Sequence, residues 1–203
     1  MYTPAHFREA RLPVFHRWMG ENSFATFVSV IDGAPFATHL PALLDCSRGQ
    51  FGTIRTHMAR ANPHWRAFET SAELLVIYQG PHGYITPSWY SATAAVPTWN
   101  YTAVHAYGVP RVLEGEPAMA LLLDQVAHFE SGFEKPWDTS GQAPGYIETM
   151  AKGIVAFEVE VTRLEGKGKL SQNRPADREQ VLAALEERGT PDDLALAAAM
   201  RRA

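Results

Sequence analysis

The segment WNYTAVHAYGVPRV, residues 99–112, alternates apolar with polar or small side chains over a long span. A period of two puts successive side chains on opposite faces, so this stretch predicts a β-strand. GIVAFEVEVTRLEG repeats the pattern, with Ile154, Ala156, Glu158 and Glu160 against Val155, Phe157, Val159 and Val161, giving one polar and one dry face. ELLVIYQG reads as a buried strand from its continuous apolar run, and GYITPSW continues extended to Pro87. Upstream, SFATFVSV and PFATHLPALL flank Asp32-Gly33 and predict a β-hairpin, with Pro35 lengthening its loop and Pro41 marking an edge or bulge. A further strand is expected over Gln50–Thr56, followed by a short helix over Asn62–Phe68.

Helical spacing is found elsewhere. Leu12, Phe15 and Met19 set a helix within Arg11–Asn22, and Met119, Leu122, Leu123, Val126 and Phe129 form one apolar face of a helix over Glu116–Glu130. The tail from Pro175 predicts two helices, the first started by Pro175 and Asp177 and separated from the second by Gly189, Thr190 and Pro191. Strands in hairpin order, with helices at the ends and inserted between them, predict an antiparallel β-barrel with peripheral helices. Regular strand–helix alternation is missing, and EGKGKL lacks the third glycine and following helix of a dinucleotide fingerprint.

The chain has 203 residues, 46% of them hydrophobic, which is enough for one substantial core. Its net charge of -4 provides no global basic field to draw it onto nucleic acid or an anionic membrane. No apolar run approaches the roughly 18 residues of a membrane span. The start, MYTPAHFREARLPVFHRW, interrupts any signal-peptide pattern with charges and prolines, so a cytoplasmic location is expected. Cys46 is the only cysteine, which excludes an intrachain disulfide and a multi-cysteine zinc site.

Several constellations carry potential chemistry. In GTIRTHMARANPHW, Arg55, His57 and Arg60 gather where a strand gives way to a helix, an arrangement suited to a phosphate or to a solvated turn. His39, His57, His82 and His105 fall on or near strands without HExxH spacing; ordinary strand-edge histidines are the simpler reading, and haem through one histidine stays open. Glu158 with Glu160, and Asp192 with Asp193, read as structural. Neither a GxSxG elbow nor a P-loop is present. Tyr84, Trp89, Tyr90, Trp99, Tyr101 and Tyr107 stand beside prolines and polar groups, which suits a flat ligand or a barrel core with a dimer interface. GKGKLSQNR offers two lysines, an arginine, two amides and a serine to an anion or to solvent.

Seven stretches, MYTPAHF, ENSFATFVS, PFATHLPALLD, THMARANPHW, VIYQGPHGYITPSWY, VPTWNYTAVHAYG and GIVAFEVEVTRLEGKGKLSQNR, run in order from Met1 to Arg174 and together resemble the PaiB family. These are FMN-binding negative transcriptional regulators with a flavin-type split barrel. The resemblance implies a mainly β chain with peripheral helices, in which residues 1–174 form an FMN-binding antiparallel split barrel and residues 175–203 a helical tail packed on or beside it. It also implies a homodimer with FMN at the interface. The placement of THMAR implies phosphate contacts from the hydroxyl of Thr56, the imidazole of His57 and the guanidinium of Arg60, with Met58 in the same stretch; Arg55 points to the other side of the strand. Thr38, His39 and Leu40 correspond to a strand under the isoalloxazine. Trp89, Trp99 and Asn100 are expected at the ring, and Lys169, Gln172 and Arg174 at the polar end. The sequence departs from the family pattern at Gly168, where a larger residue is frequent.

The tail resembles a helix-turn-helix in outline, yet its charges nearly cancel and Asp192-Asp193 opens its second helix, so direct DNA binding is expected to be weak or absent. Three functions follow in order: a flavin-linked regulator or sensor; an FMN-dependent oxidoreductase in which His39, His82 or Tyr101 positions substrate or moves a proton; and a haem-binding protein.

Overall fold

A computed structural model describes residues 1–69, 73–91 and 94–203. Its elements run in the order β1 (Arg8–Glu9), α1 (Leu12–Glu21), β2 (Phe24–Ile31), β3 (Ala34–Pro41), β4 (Leu43–Asp45), β5 (Thr53–Ala59), β6 (Leu74–Ile85), β7 (Thr98–Leu113), α2 (Gly115–Glu130), α3 (Tyr146–Ala151), β8 (Ile154–Lys169), α4 (Arg178–Arg188) and α5 (Pro191–Arg201). The strands form one antiparallel sheet in the order β3-β2-β6-β7-β8-β5-β4, with β1 paired to β8. The fold is mainly β, an antiparallel split barrel with peripheral helices.

Local chemistry explains where the elements begin and end. Asp32 and Gly33, at φ 52° and 79°, form a two-residue turn between Ile31 and Ala34, which pair directly. Positive φ at both central positions matches the twist of the flanking strands. The loop is therefore not lengthened by Pro35, which sits in β3 opposite Val30. β3 is an edge strand, where a missing N–H is tolerated.

β5 starts three residues later than the expected Gln50 and continues through Ala59, so Thr56, His57 and Met58 lie inside a strand rather than on a turn. The expected α-helix after it is a 3₁₀ segment, Pro63–Glu69, opened by the Asn62 side chain accepting from the His64 N–H at 3.0 Å. β8 runs on through GKGK, which therefore belongs to a strand and not to a loop.

α2 covers its expected span but is rotated from the expected face. Leu121 and Gln125 are its buried positions, while Leu123 and Phe129 are exposed. The turn of the helix is set by what the Gln125 amide binds, described below.

The chain forms two compact units, Met1–Asn22 with Tyr78–His105 and Glu165–Ala203, and Ser23–Ile77 with Ala106–Leu164. In the second unit Phe27, Ile54, Met58, Leu74, Val76 and Phe157 are buried, and the Phe27 and Phe68 rings meet Phe157 at 5.7 and 4.8 Å. In the first unit Ile85 and Leu170 are buried with Val181, Leu182, Leu185, Leu196, Ala197 and Met200 of α4 and α5. Each fully buried leucine contributes about 1.5–3 kcal/mol, so the tail helices are held as part of that unit's core.

Gly189 ends α4 at φ 67°, and the Thr190 side chain caps α5 by accepting from the Asp193 N–H at 3.2 Å. Buried Asp193 accepts from Arg188 Nε and Thr190 Oγ1, both at 2.7 Å, and Arg188 holds its carboxyl down to about 2. Among the described residues no helix is long and apolar enough to cross a membrane.

Candidate functional site

The basic groups of the THMAR stretch are already engaged within the fold. Alternation along β5 turns Thr56 and Met58 to the buried face and Arg55 and His57 to the other. The Thr56 hydroxyl, fully buried, donates to the Pro41 carbonyl at 2.6 Å. Arg60, one residue past the strand, donates from Nε to the Lys152 carbonyl at 2.9 Å and from Nη2 to the Ile154 carbonyl at 2.7 Å. Its guanidinium thus ties the end of β5 to the start of β8.

On the outer face Arg55 pairs with Asp124 of α2 at 2.7 Å. His57 Nδ1 lies 2.6 Å from Gln125 Oε1, and Gln125 Nε2 donates to the Pro41 carbonyl at 3.1 Å. Because the amide nitrogen must face Pro41, its oxygen faces the imidazole, so His57 carries a proton on Nδ1. This relay fixes the rotation of α2 noted above.

The THLP stretch divides by face. His39 shares a 2.9 Å hydrogen bond with Thr26 on the exposed side. Thr38, on the opposite side, bonds His64 Nδ1 at 2.8 Å and accepts from Asn62 Nδ2 at 3.1 Å. Leu40 is buried. His64 is buried between the Phe36 and Phe68 rings, and that burial holds it below the ordinary imidazole range.

In the first unit the ring and polar-end candidates separate into three places. Asn100 is buried and donates to Ser171 Oγ at 2.8 Å. Trp89 packs on the tail helices with Arg188 over its ring at 5.0 Å, while Arg174 lies 4.5 Å over Tyr90 and 3.5 Å from Asp177. Gln172 closes the turn after β8, accepting from the Leu170 N–H and donating to the Gly168 carbonyl.

Trp99 and Lys169 differ. They lie in β7 and at the end of β8, where Trp99, Tyr101, Lys167 and Lys169 are less buried than Asn100, Thr102, Gly166 and Gly168. Trp99 is 53% exposed and its ring lies 6.0 Å from Tyr84 and 6.3 Å from His82. Lys169 Nζ donates to Thr98 Oγ1 and sits 5.8 Å over the Phe7 ring. Lys167 lies two residues back on the same face, with Nζ 5.2 Å over Tyr101, 5.7 Å over Tyr2 and donating to the Tyr2 carbonyl at 3.2 Å. Burial, and then the charge of Lys167, push the Lys169 ammonium below the ordinary lysine value.

Two ammonium groups held among aromatic rings are suited to an anionic, flat ligand. Lys167 is absent from the sequence-derived site. The signal was there: Lys167 and Lys169 are two apart, so they share a face once GKGK is recognised as strand. Gly166 and Gly168 make that possible, because a Cβ on them would lie 2.1 Å from the Phe15 ring and 2.9 Å from the Trp18 ring of α1. The departure at Gly168 is thus a close approach of helix and strand.

Comparisons with known proteins agree with this architecture. Residues 1–163 match the family described as "Putative FMN-binding domain". Protease synthase and sporulation protein PAI 2 of Bacillus subtilis is 38% identical over 195 residues, covering 95% of this chain and 92% of its own. An uncharacterized protein of Emericella nidulans is 31% identical over 231 residues, covering 94% and 92%. Among solved structures, the FAD and haem binding protein of Mycobacterium smegmatis superposes with a TM-score of 0.60 at 16% identity, covering 80% of this chain and 73% of that one, a likeness of fold.

Proposed function

We propose that this chain, which belongs to the FMN-binding domain family, holds FMN at the face formed by Trp99, Tyr101, Lys167 and Lys169 and works as a flavin-linked regulator or sensor. The observation that carries this reading is the pair of lysines among aromatic rings. Lys169 loses proton affinity to burial and to Lys167, and an anion such as the FMN phosphate would relieve both effects. Tyr101 and Trp99 offer apolar ring surface beside those charges for the flat part of the ligand. When bound, FMN supplies an isoalloxazine that accepts and returns electrons. In this reading the chain's own groups bind and orient; Thr56 and Arg60 support the barrel, and His57 sets α2.

A homodimer is part of the proposal. Phe24 and Val30 on the outer face of β2 are 70% and 61% exposed, apolar surface of the kind a second copy covers. The name of the Bacillus subtilis relative favours a regulatory role over a metabolic one. Direct DNA binding is proposed to be weak, because Asp193 in the first turn of α5 is buried and paired with Arg188 where a recognition helix would present groups to a base edge. A salt-sensitive, promoter-specific mobility shift with pure protein would overturn that part.

The test of the main reading is a fluorescence titration with FMN, FAD and riboflavin beside a molar-mass determination. FMN binding more tightly than riboflavin, in a dimer, is expected. Equal affinities would remove the phosphate contact, and no flavin binding would remove the proposal.

A further inference from the structure

Behind β8, on the face opposite the two lysines, the first unit contains a cavity of about 180 Å³. Arg8, Arg11, Arg17 and Arg202 line it, and Glu9 is the one acidic side chain among its described lining residues. Glu9 is already committed to Arg11, accepting from its Nε at 2.9 Å and its Nη2 at 2.6 Å. Arg202 reaches Glu21 at 3.4 Å. Arg8 stands opposite Lys167 in the β1–β8 ladder and so shares the lysine face, but Arg17 has no acidic partner among the described residues and leaves positive charge in excess at this cavity.

Arg17 adds an independent pointer. Its Nε is buried without a hydrogen-bond acceptor, and a buried donor left unpaired is a cost that a ligand oxygen would remove. The apolar part of the lining, including Val14, Trp18 and Leu170, lowers the local dielectric and strengthens any charge interaction made there. The volume is below the roughly 300 Å³ at which pockets for larger organic ligands begin. Guanidinium groups bind planar or tetrahedral oxyanions through paired N–H donors, a geometry that a halide does not match.

We propose that this cavity is a binding site for a small free oxyanion, of the phosphate or carboxylate class, separate from the flavin face. Gly168 and Leu170 line the cavity, while Lys167 and Lys169 take the alternate face of the same strand. A bound anion would therefore sit against the strand that presents the two lysines. The proposal does not depend on the flavin reading.

Inorganic phosphate is the probe, titrated calorimetrically into the full chain at fixed ionic strength with chloride as the comparison. Saturable phosphate binding with no chloride response is expected, weakened about tenfold or more in Arg17→Gln, with FMN affinity unchanged. Because Arg17 is partly buried, the exposed Arg202 gives a second variant, Arg202→Gln, expected to weaken phosphate about threefold or more. Identical responses to phosphate and chloride would overturn the site, as would phosphate affinity unchanged in both variants. Displacement of phosphate by FMN but not by riboflavin would assign the cavity to the cofactor's own phosphate and overturn a separate site.

Discussion

THMAR on β5 and GKGK on β8 look alike in the sequence: each sets basic side chains towards the end of a strand. They differ in what those side chains have left to give. Around β5, Arg60 is bonded to two backbone carbonyls, Arg55 to Asp124 through Nη1 with its buried Nε left unpaired, and His57 to Gln125. On β8, Lys167 and Lys169 meet one carbonyl, one hydroxyl and aromatic rings, with no carboxylate bonded to either among the described residues. A charged group whose hydrogen bonds hold the fold together has little to offer a ligand, because binding would leave buried carbonyls unpaired. Candidate anion sites therefore have to be compared by uncommitted donors and not by the number of basic residues.

The largest expected effect tests whether β8 is held where its lysines need it. Gly166→Ala would bring a Cβ to within 2.1 Å of the Phe15 ring, and such overpacking costs about 3 kcal/mol. Denaturant unfolding should show it. A loss below about 1 kcal/mol would mean that β8 shifts freely from α1.

Arg60→Ala should lower stability by about 1–2 kcal/mol through the two lost backbone bonds, leaving FMN affinity unaltered. A weakened FMN complex at unchanged stability would reverse the comparison between the two stretches.

The tail carries the same lesson in its acid. Asp193 is held down to about 2 from 3.8 by Arg188, so its stabilisation is fully present above pH 3.8 and is lost as pH falls towards 2. The loss is about 1–2 kcal/mol after allowance for screening of the exposed Arg188. Unfolding followed from pH 5 to 2 should show this component absent in Asp193→Asn; an identical pH slope in that variant would rule it out. Smallest is Thr56→Val, about 1 kcal/mol from one buried hydroxyl bond, with flavin binding again unchanged.

The hairpin, the long strands and the two tail helices were legible because periodicity, Asp32-Gly33 and Gly189 act locally. The face of α2 was not. Apolar spacing favoured Leu123 and Phe129, but the rotation is set by a polar residue, Gln125, whose partners His57 and Pro41 lie 68 and 84 residues away in sequence. The same blindness affected the candidate site. Sequence showed that Thr56, Arg60, Gln172 and Arg174 could bind an anion, but not that their donors were taken by Pro41, Lys152, Gly168 and Asp177. Lys167 was weighed with Lys169 as an anion donor but left out of the flavin site because GKGK read as a loop, in which alternation has no meaning.

The most direct measurement compares FMN and riboflavin affinities in the natural chain, in Lys167→Ala/Lys169→Ala and in Arg60→Ala. The double lysine variant should lose FMN affinity by about ten- to a hundredfold with riboflavin unchanged, and Arg60→Ala should alter neither. Loss of FMN preference in Arg60→Ala, with the lysine variant binding normally, would return the phosphate to THMAR and contradict the account.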